Sequence, residues 1–289
     1  MHALFEILNP GFLLRNSFYA SLIVGFICPL VGVYFVLRRI IFLGVALPQI
    51  SSAGIAFAFL LHTIGLHLFP HRVEERGMAL LGSILFTFLS ILILVLLERR
   101  SKGMTEGRIG VAYALGGAAS ILFVVYNPSG ESQILSMFRG EIVAINAADL
   151  LLIMGIFFSI LIVLTGFQRE FVLVSYDPDM AVTIGKKVLL WDILLYLIIG
   201  LTISLGVMTV GPLVIFGFLV IPPVAARMLT FGMKPFCIVS SLIGGLSAFL
   251  GFYLSYRFDL PTGATDVALL CLVLFASSLS CAIKRYFRK

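Results

Sequence analysis

The feature that most constrains this chain is a series of long apolar runs that repeats along almost its whole length. A helix that crosses a bilayer needs about 20 predominantly apolar residues. Nine stretches meet this requirement, at 17–37, 43–62, 77–97, 109–126, 149–167, 188–208, 210–229, 235–255 and 263–283. Charged residues make up only 12% of the 289 residues, about half the roughly 25% that is usual in soluble domains. The sequence therefore predicts an all-α polytopic membrane protein.

The whole of residues 1–289 is predicted to form one transmembrane bundle, with some discontinuous helices. The run at 43–62 is the least regular, so eight spans and one re-entrant segment are the alternative to nine. Basic residues favour the cytoplasmic side of a membrane, and they fall here on alternate loops. The clusters are Arg38/Arg39, residues 99–102, Lys186/Lys187, Arg227 with Lys234, and residues 284–289. Placing all of these clusters inside puts the N-terminus outside and the C-terminus in the cytoplasm. Since these loop residues account for the net charge of +6, that charge gives no reason to expect nucleic-acid binding.

The stretch from Arg38 to Phe59 contains residues that a lipid-facing helix avoids. An unpaired polar group in hydrocarbon costs several kcal/mol, and irregular backbone is tolerated there only inside protein or along a watery cavity. Gln49 and Ser52 share one helical face with Val45 and Ala56, because the spacing is 4-3-4. We predict that this face, with Pro48 beside it, borders a translocation path. The alternative is tight helix packing through small residues, with Gln49 hydrogen-bonding across the contact.

A second irregular stretch runs from Val207 to Leu229. Gly211-Pro212 opens a span, and Pro222-Pro223 is predicted to break it, because proline removes a backbone donor and clashes with the preceding turn. Discontinuous helices are typical of substrate pathways near the membrane midplane. Pro222 is therefore a further candidate for the path.

The inner loop at 168–187 is predicted to carry a docking helix. Asp177 followed by Pro178 is typical of a helix N-terminus, and Gly185 is typical of the position after a helix end. We predict a short cytoplasmic helix over 178–184. Because this helix buries nothing by itself, we expect it to dock on another protein; the alternative is that it lies on the membrane surface. The candidate docking residues are Asp177, Asp179, Ala181 and Gly185.

Histidines and acids provide few candidates for ion binding. His62, His67 and His71 lie in one outer loop and are candidate metal ligands. The alternative is that these histidines are amphipathic residues at the level of the lipid headgroups. The metal ligands are therefore left unassigned. Asp192 and Asp266 are interpreted as residues at the ends of spans. Residues 127–148 are predicted to lie along the outer interface.

Six motifs occur in order along the chain. They are RRxxxxG at 38–44, RIGVAYALGGAAS at 108–120, FRGEI at 138–142, the spaced Asp177, Ala181 and Gly185, VGPLVIFGFLVIPPVAA at 210–226, and PTGAT at 261–265. With these motifs the chain resembles the permease subunit of ATP-binding-cassette importers for zinc, manganese or iron.

The resemblance implies a multi-pass transport subunit of a bacterial-type inner membrane, surrounded by lipid, that is not itself an enzyme and holds no cofactor. It implies a second permease copy, ATPase subunits that dock on the cytoplasmic helices, and an extracytoplasmic metal-binding protein. The sequence contains no GxxxxGK[ST] phosphate-binding loop, as expected if ATP is hydrolysed by a separate subunit.

One motif departs from the family's pattern. The family typically reads G-D-x-x-S-H after the arginine pair. In this chain Val45 replaces the aspartate, Pro48 replaces the serine and Gln49 replaces the histidine. Valine cannot bind a metal, and a neutral amide is a poorer transition-metal ligand than imidazole or carboxylate. Either the ligands lie elsewhere, or the cargo is a metal chelate or another small solute. A stand-alone ion-coupled carrier is the further alternative, and it needs ionisable residues at the midplane.

Overall fold

The computed structural model describes residues 14–64, 75–100, 105–126 and 146–286, and these ranges are helical apart from short connections. In chain order the helices are α1 Arg15–Arg38, α2 Leu43–Thr63, α3 Glu75–Arg100, α4 Thr105–Val125, α5 Ala147–Gly166, α6 Gln168–Tyr176, α7 Pro178–Thr183, α8 Val188–Val210, α9 Pro212–Leu229, α10 Met233–Phe258 and α11 Thr262–Tyr286. Within these ranges, nine helices are long and apolar enough to cross a membrane. The prediction of nine spans in an all-α bundle is confirmed.

The bundle has a buried centre and an exposed periphery. Helices α1, α2, α8 and α9 bury more than half of the residues in their most apolar stretch, whereas α3, α4, α5 and α11 bury less than a quarter. One group of helices is α1 with α9, α10 and α11, and the other is α2 with α3 and α4. Helices α8 and α9 connect the groups, since each contacts both α1 and α2.

Glycines allow the closest helix crossings. A Cβ placed on Gly25 of α1 would overlap α10 at Ala248 and Gly244, and a Cβ on Gly54 of α2 would overlap the carbonyl of Gly82 in α3. Without a hydrophobic difference between lipid and protein, such close backbone approach is a main source of helix association in membranes.

Hydroxyl groups connect α2, α3 and α8 inside the bundle. The side-chain oxygens of Ser51 and Ser83 are 2.6 Å apart, and the Ser83 hydroxyl also donates to the carbonyl of Ser204 at 3.4 Å. The Ser204 hydroxyl in turn donates to Thr87 Oγ1 at 3.3 Å. All four side chains are buried, so these hydrogen bonds satisfy polar groups that would otherwise destabilise the bundle.

Three sequence predictions need correction. Helix α9 continues through Pro222 and Pro223, so the predicted break at this pair is wrong; the break lies at Gly211, whose φ of 87° separates α8 from α9. Residues 168–176 form α6, which the sequence reasoning did not predict. The docking helix also buries one residue of its own, because Ala181 is fully buried.

Some predictions concern residues outside the described ranges. His67, His71 and the interfacial segment at 127–145 belong to this group. The outside position of the N-terminus stays a prediction that rests on the loop charges.

Candidate docking face and translocation path

Helix α7 has the caps that the sequence predicts. Asp177 is the N-cap, and its Oδ1 accepts a hydrogen bond from the backbone N–H of Met180 at 2.9 Å. Pro178 occupies the first helical position, where its missing N–H costs nothing. The helix ends at Thr183, and Gly185 follows with φ of 79°, a conformation that glycine adopts without strain. A six-residue helix is too short to be stable alone, so the caps and the burial of Ala181 hold it.

The surface around α7 is apolar and exposed. Tyr176 is 78% exposed, Val182 62% and Ile184 56%, and Asp179 adds an exposed charge in the first turn. An exposed group of large apolar side chains beside polar ones is typical of a protein or membrane contact. Together, 176–184 form what we call the docking face.

One arginine ties the docking segment to the bundle. Nη2 of Arg38, at the end of α1, lies 2.7 Å from Oδ1 of Asp192 in α8, and Nε donates to Oγ of Ser175 in α6 at 3.0 Å. The guanidinium also stacks over Tyr196, with Cζ 5.7 Å from the ring centre. The Arg38 side chain is only 12% exposed, so these charge-assisted contacts are shielded from water.

Aromatic rings reinforce the same junction. Phe171 of α6 is fully buried, with its ring centre 5.6 Å from Trp191 of α8 and 5.9 Å from Tyr34 of α1, in edge-on arrangements. The ring of Phe167 also contacts Trp191, with the ring centres 5.3 Å apart. Aromatic pairs in this range contribute about 0.5–1.5 kcal/mol beyond their burial. Helix α6 is therefore packed directly against α1 and α8 at this junction.

The predicted path residues lie in a packed part of α2. Pro48, Ser52 and Ala56 are buried, and Gln49 is half-buried. The Ser52 hydroxyl donates to the carbonyl of Gln49 at 2.8 Å. The side-chain amide of Gln49 makes no hydrogen bond to any residue in the described ranges, so the predicted alternative role in cross-helix bonding is not observed there. Pro222 is also buried, in α9.

A large cavity lies beside this face, between α2, α3 and α4. Its volume is about 730 Å³, and Ile50, Ala53, Ser90, Arg108 and Gly116 are among its lining residues. None of Pro48, Gln49 or Ser52 lines it. The lining is almost entirely apolar, so it offers few oxygen or nitrogen ligands to a metal ion. Sequence reasoning missed the cavity, because it is formed by the spacing of three helices and not by an unusual run of residues.

The described part of the chain contains no group of three or more His, Cys, Asp or Glu side chains that could hold a metal ion. His62, the one predicted metal candidate within these ranges, is exposed at the end of α2. These residues therefore provide no preformed site of this ligand type.

Asp266 lies near the start of α11, as the sequence suggested, but it is buried inside the protein. Its side chain is 1% exposed, and Oδ1 has no hydrogen-bond partner among the described residues. It packs against the backbone of Gly251 in α10, where a Cβ would overlap Oδ1. Asp192 does lie at a helix start, and it is paired with Arg38.

In the part of the chain that the structure describes, nine helices are long and apolar enough to cross a membrane, and a short exposed helix lies at one end. This architecture defines a multi-pass inner-membrane protein of the bacterial permease type. The sequence profile of the ABC 3 transport family matches residues 12–281. The chain belongs to this family, which confirms the resemblance to ATP-binding-cassette permeases.

Curated relatives extend over almost the full chain. The manganese import system permease protein ScaB of Streptococcus gordonii is 24% identical over 276 residues, which are 96% of this chain and 94% of ScaB. A protein of Haemophilus influenzae named a probable iron transport system membrane protein is 26% identical, over 90% of this chain and 86% of its own length.

A solved structure shows the same fold. The structure of PsaBC from Streptococcus pneumoniae in complex with Fab contains a chain that matches with a TM-score of 0.80 and 21% sequence identity. The match covers 96% of this chain and 94% of that one. The described helices therefore have the same arrangement as the helices of that chain.

Proposed function

We propose that this chain is the membrane-spanning permease of an importer for a divalent transition-metal ion, namely zinc, manganese or iron, driven by a separate ATPase. Family membership and the names of its relatives, which specify manganese and iron, support the cargo class. Two copies of the chain would form the pathway, and an extracytoplasmic binding protein would deliver the ion. ATP hydrolysis belongs to the partner, so the chain itself is not an enzyme.

The observation that carries the proposal is the docking face. It combines exposed apolar side chains with the acidic Asp179 on a capped helix outside the spans. Its neighbour α6 is joined by Arg38 and Phe171 to two of the most buried helices, α1 and α8. A partner that moved α6 and α7 on binding ATP would therefore displace α1 and α8, which is the coupling that such an importer requires.

The path face of α2 remains our candidate for translocation. The Gln49 amide is free of hydrogen bonds to the described residues and half-buried. Its oxygen is a modest ligand, so a bare ion would bind it weakly and leave readily, and further ligands would come from the second copy or the delivered complex. The same neutral face also suits a metal chelate, which carries its own ligands.

Uptake in cells or vesicles containing the chain, its ATPase and its binding protein tests the proposal. Zinc, manganese and iron are offered one at a time, with ATP or with a non-hydrolysable analogue. We expect ATP-dependent accumulation of one of the three ions. An intact complex that hydrolyses ATP but accumulates none of them would contradict free-ion transport, and the same assay with chelated metal would then test the second candidate.

Two variants separate docking from permeation. Gly185→Pro should abolish both uptake and recovery of the ATPase with the permease, because proline cannot adopt the φ of 79° found there. Gly166→Ala, at the end of α5 where a Cβ meets nothing, is the matched control and should retain both. Gln49→Ala should lower uptake without releasing the ATPase; uptake equal to that of the unchanged protein would remove Gln49 from the path.

A further inference from the structure

Helices α5 and α10 both pack against α1, and they leave a cleft between them. The cleft has a volume of about 460 Å³ and is partly open to the surroundings. Leu30 and Tyr34 of α1 form its floor, and Leu164 of α5 and Leu242 of α10 lie on its two walls. It is separate from the path face of α2 and from the docking face.

The cleft is apolar along most of its length and polar at one end. Lys234, Gln168 and Thr165 line it at the start of α10 and around the end of α5. Ser241 lines it further along α10, where its hydroxyl already donates to the carbonyl of Phe26 at 2.7 Å. Arg38 lies in the last turn of α1, Arg227 lies in the last turn of α9, and Lys186 follows α7, so these residues belong to the same end of the bundle as Lys234. From Lys234 to Leu242 the cleft follows α10 for about 12 Å, which takes it from the interface into the hydrocarbon layer.

The mouth of the cleft presents a positive charge and hydrogen-bonding groups. Lys234 is exposed and has no ion-pair partner in the described ranges. Beside it, the Gln168 amide donates to Sγ of Cys237 at 3.4 Å, a poor acceptor that leaves the amide available to a better one. Long basic side chains place their charge at the headgroup level while their stems stay apolar. An anionic group at that level would therefore meet Lys234 first.

We propose that this cleft binds one anionic phospholipid, with its phosphate at Lys234 and one acyl chain between α5 and α10. Lipid from the surrounding bilayer fills a groove at membrane depth. The charge at the mouth of the groove then determines which lipid headgroup binds best. Basic residues at this end are predicted to be cytoplasmic, and the cytoplasmic leaflet is the one enriched in anionic lipids. The site does not depend on the identity of the cargo.

The lipid would also brace the docking segment. Its chain would contact Tyr34, whose ring lies 5.9 Å from Phe171 of α6. Gln168, the first residue of α6, lines the mouth itself. An occupied cleft would therefore restrict the movement of α6 relative to α1.

Native mass spectrometry of the purified full-length chain in mild detergent tests this inference. Phosphatidylglycerol and phosphatidylcholine with identical acyl chains are added separately at equal concentrations. We expect a single adduct with about fivefold preference for phosphatidylglycerol, the factor that corresponds to one lysine at a membrane surface. Lys234→Ala should remove the preference, whereas Lys187→Ala, an exposed lysine outside the cleft, should keep it.

A second variant tests the acyl-chain part of the cleft. Ile238 lines the cleft and is 60% exposed, so Ile238→Trp fills it without disturbing buried packing and should weaken the adducts of both lipids. Equal binding of the two lipids by the unchanged protein, or an unchanged preference in Lys234→Ala, would overturn the proposal. Disulfide crosslinking of two copies through Ile238→Cys in native membranes would also overturn it, by placing a second copy in the cleft.

Discussion

Nη2 of Arg38 lies 2.7 Å from Oδ1 of Asp192, so the last turn of α1 and the N-terminal part of α8 are joined by an ion pair. The same guanidinium reaches Ser175 of α6. One side chain therefore holds three helices at the point where the docking segment meets the spans. The Asp192 side chain is 32% exposed, so water weakens the pair on that side only.

Replacing Arg38 should loosen this junction. Arg38→Met keeps the length of the side chain and removes every polar contact, and we expect a loss of about 2 kcal/mol, the usual scale for hydrogen bonds to charged groups. Thermal unfolding in detergent should show the lower stability, and ATP hydrolysis by the complex should respond less to cargo. Arg39→Gln, at an exposed neighbour, is the control, and an equal effect in both variants would contradict a special role for Arg38.

Removing the N-cap of α7 should weaken docking without affecting the bundle. Asp177→Ala removes the acceptor for the Met180 N–H and should destabilise the helix by about 1 kcal/mol, whereas Asp177→Ser should retain most of the cap. The measurement is the amount of ATPase that co-purifies with the permease. Equal recovery with alanine and serine would show that the cap does not limit docking.

Local rules were sufficient to predict the spans and the caps of α7. The apolar runs agree with the nine long helices because length and hydropathy are properties of each segment alone. Asp177, Pro178 and Gly185 act on their own backbone, so their roles could be predicted from adjacent residues.

Features that depend on which helices become neighbours could not be predicted. Arg38 and Asp192 are 154 residues apart, and the residues around each of them do not indicate that the two will form an ion pair. Asp266 was interpreted as an edge residue because it lies early in its span; the close approach of Gly251 is what buries it. Pro222 was expected to break α9, but the helix continues, since tertiary packing can override local preference.

Adjacent glycines in α4 should respond oppositely to alanine. A Cβ on Gly116 would overlap the backbone of Ile50, whereas one on Gly117 meets nothing. Gly116→Ala should lower the unfolding temperature, and Gly117→Ala should raise stability by about 0.5–1 kcal/mol through helix propensity. Thermal unfolding of both variants checks this difference. A destabilising effect of Gly117→Ala would contradict the open space around this glycine.

The contact between Gly251 and Asp266 should behave as a coupled pair. Gly251→Ala places a methyl group where Oδ1 of Asp266 lies, and overpacking of this kind costs about 1–3 kcal/mol. Asp266→Ala removes the carboxyl group together with its unpartnered oxygen, which provides room for that methyl group.

The double variant should therefore be more stable than Gly251→Ala alone. We expect a coupling free energy of about 1 kcal/mol or more in a cycle of the two single variants and the double variant, because residues in direct contact are not additive. Thermal unfolding in one detergent measures all four proteins. As a control, Gly155→Ala, at a glycine with open space around it, should be additive with Asp266→Ala. If the stability changes of Gly251→Ala and Asp266→Ala are also additive, the two residues do not constrain each other. That result would contradict the close contact between α10 and α11 at this pair.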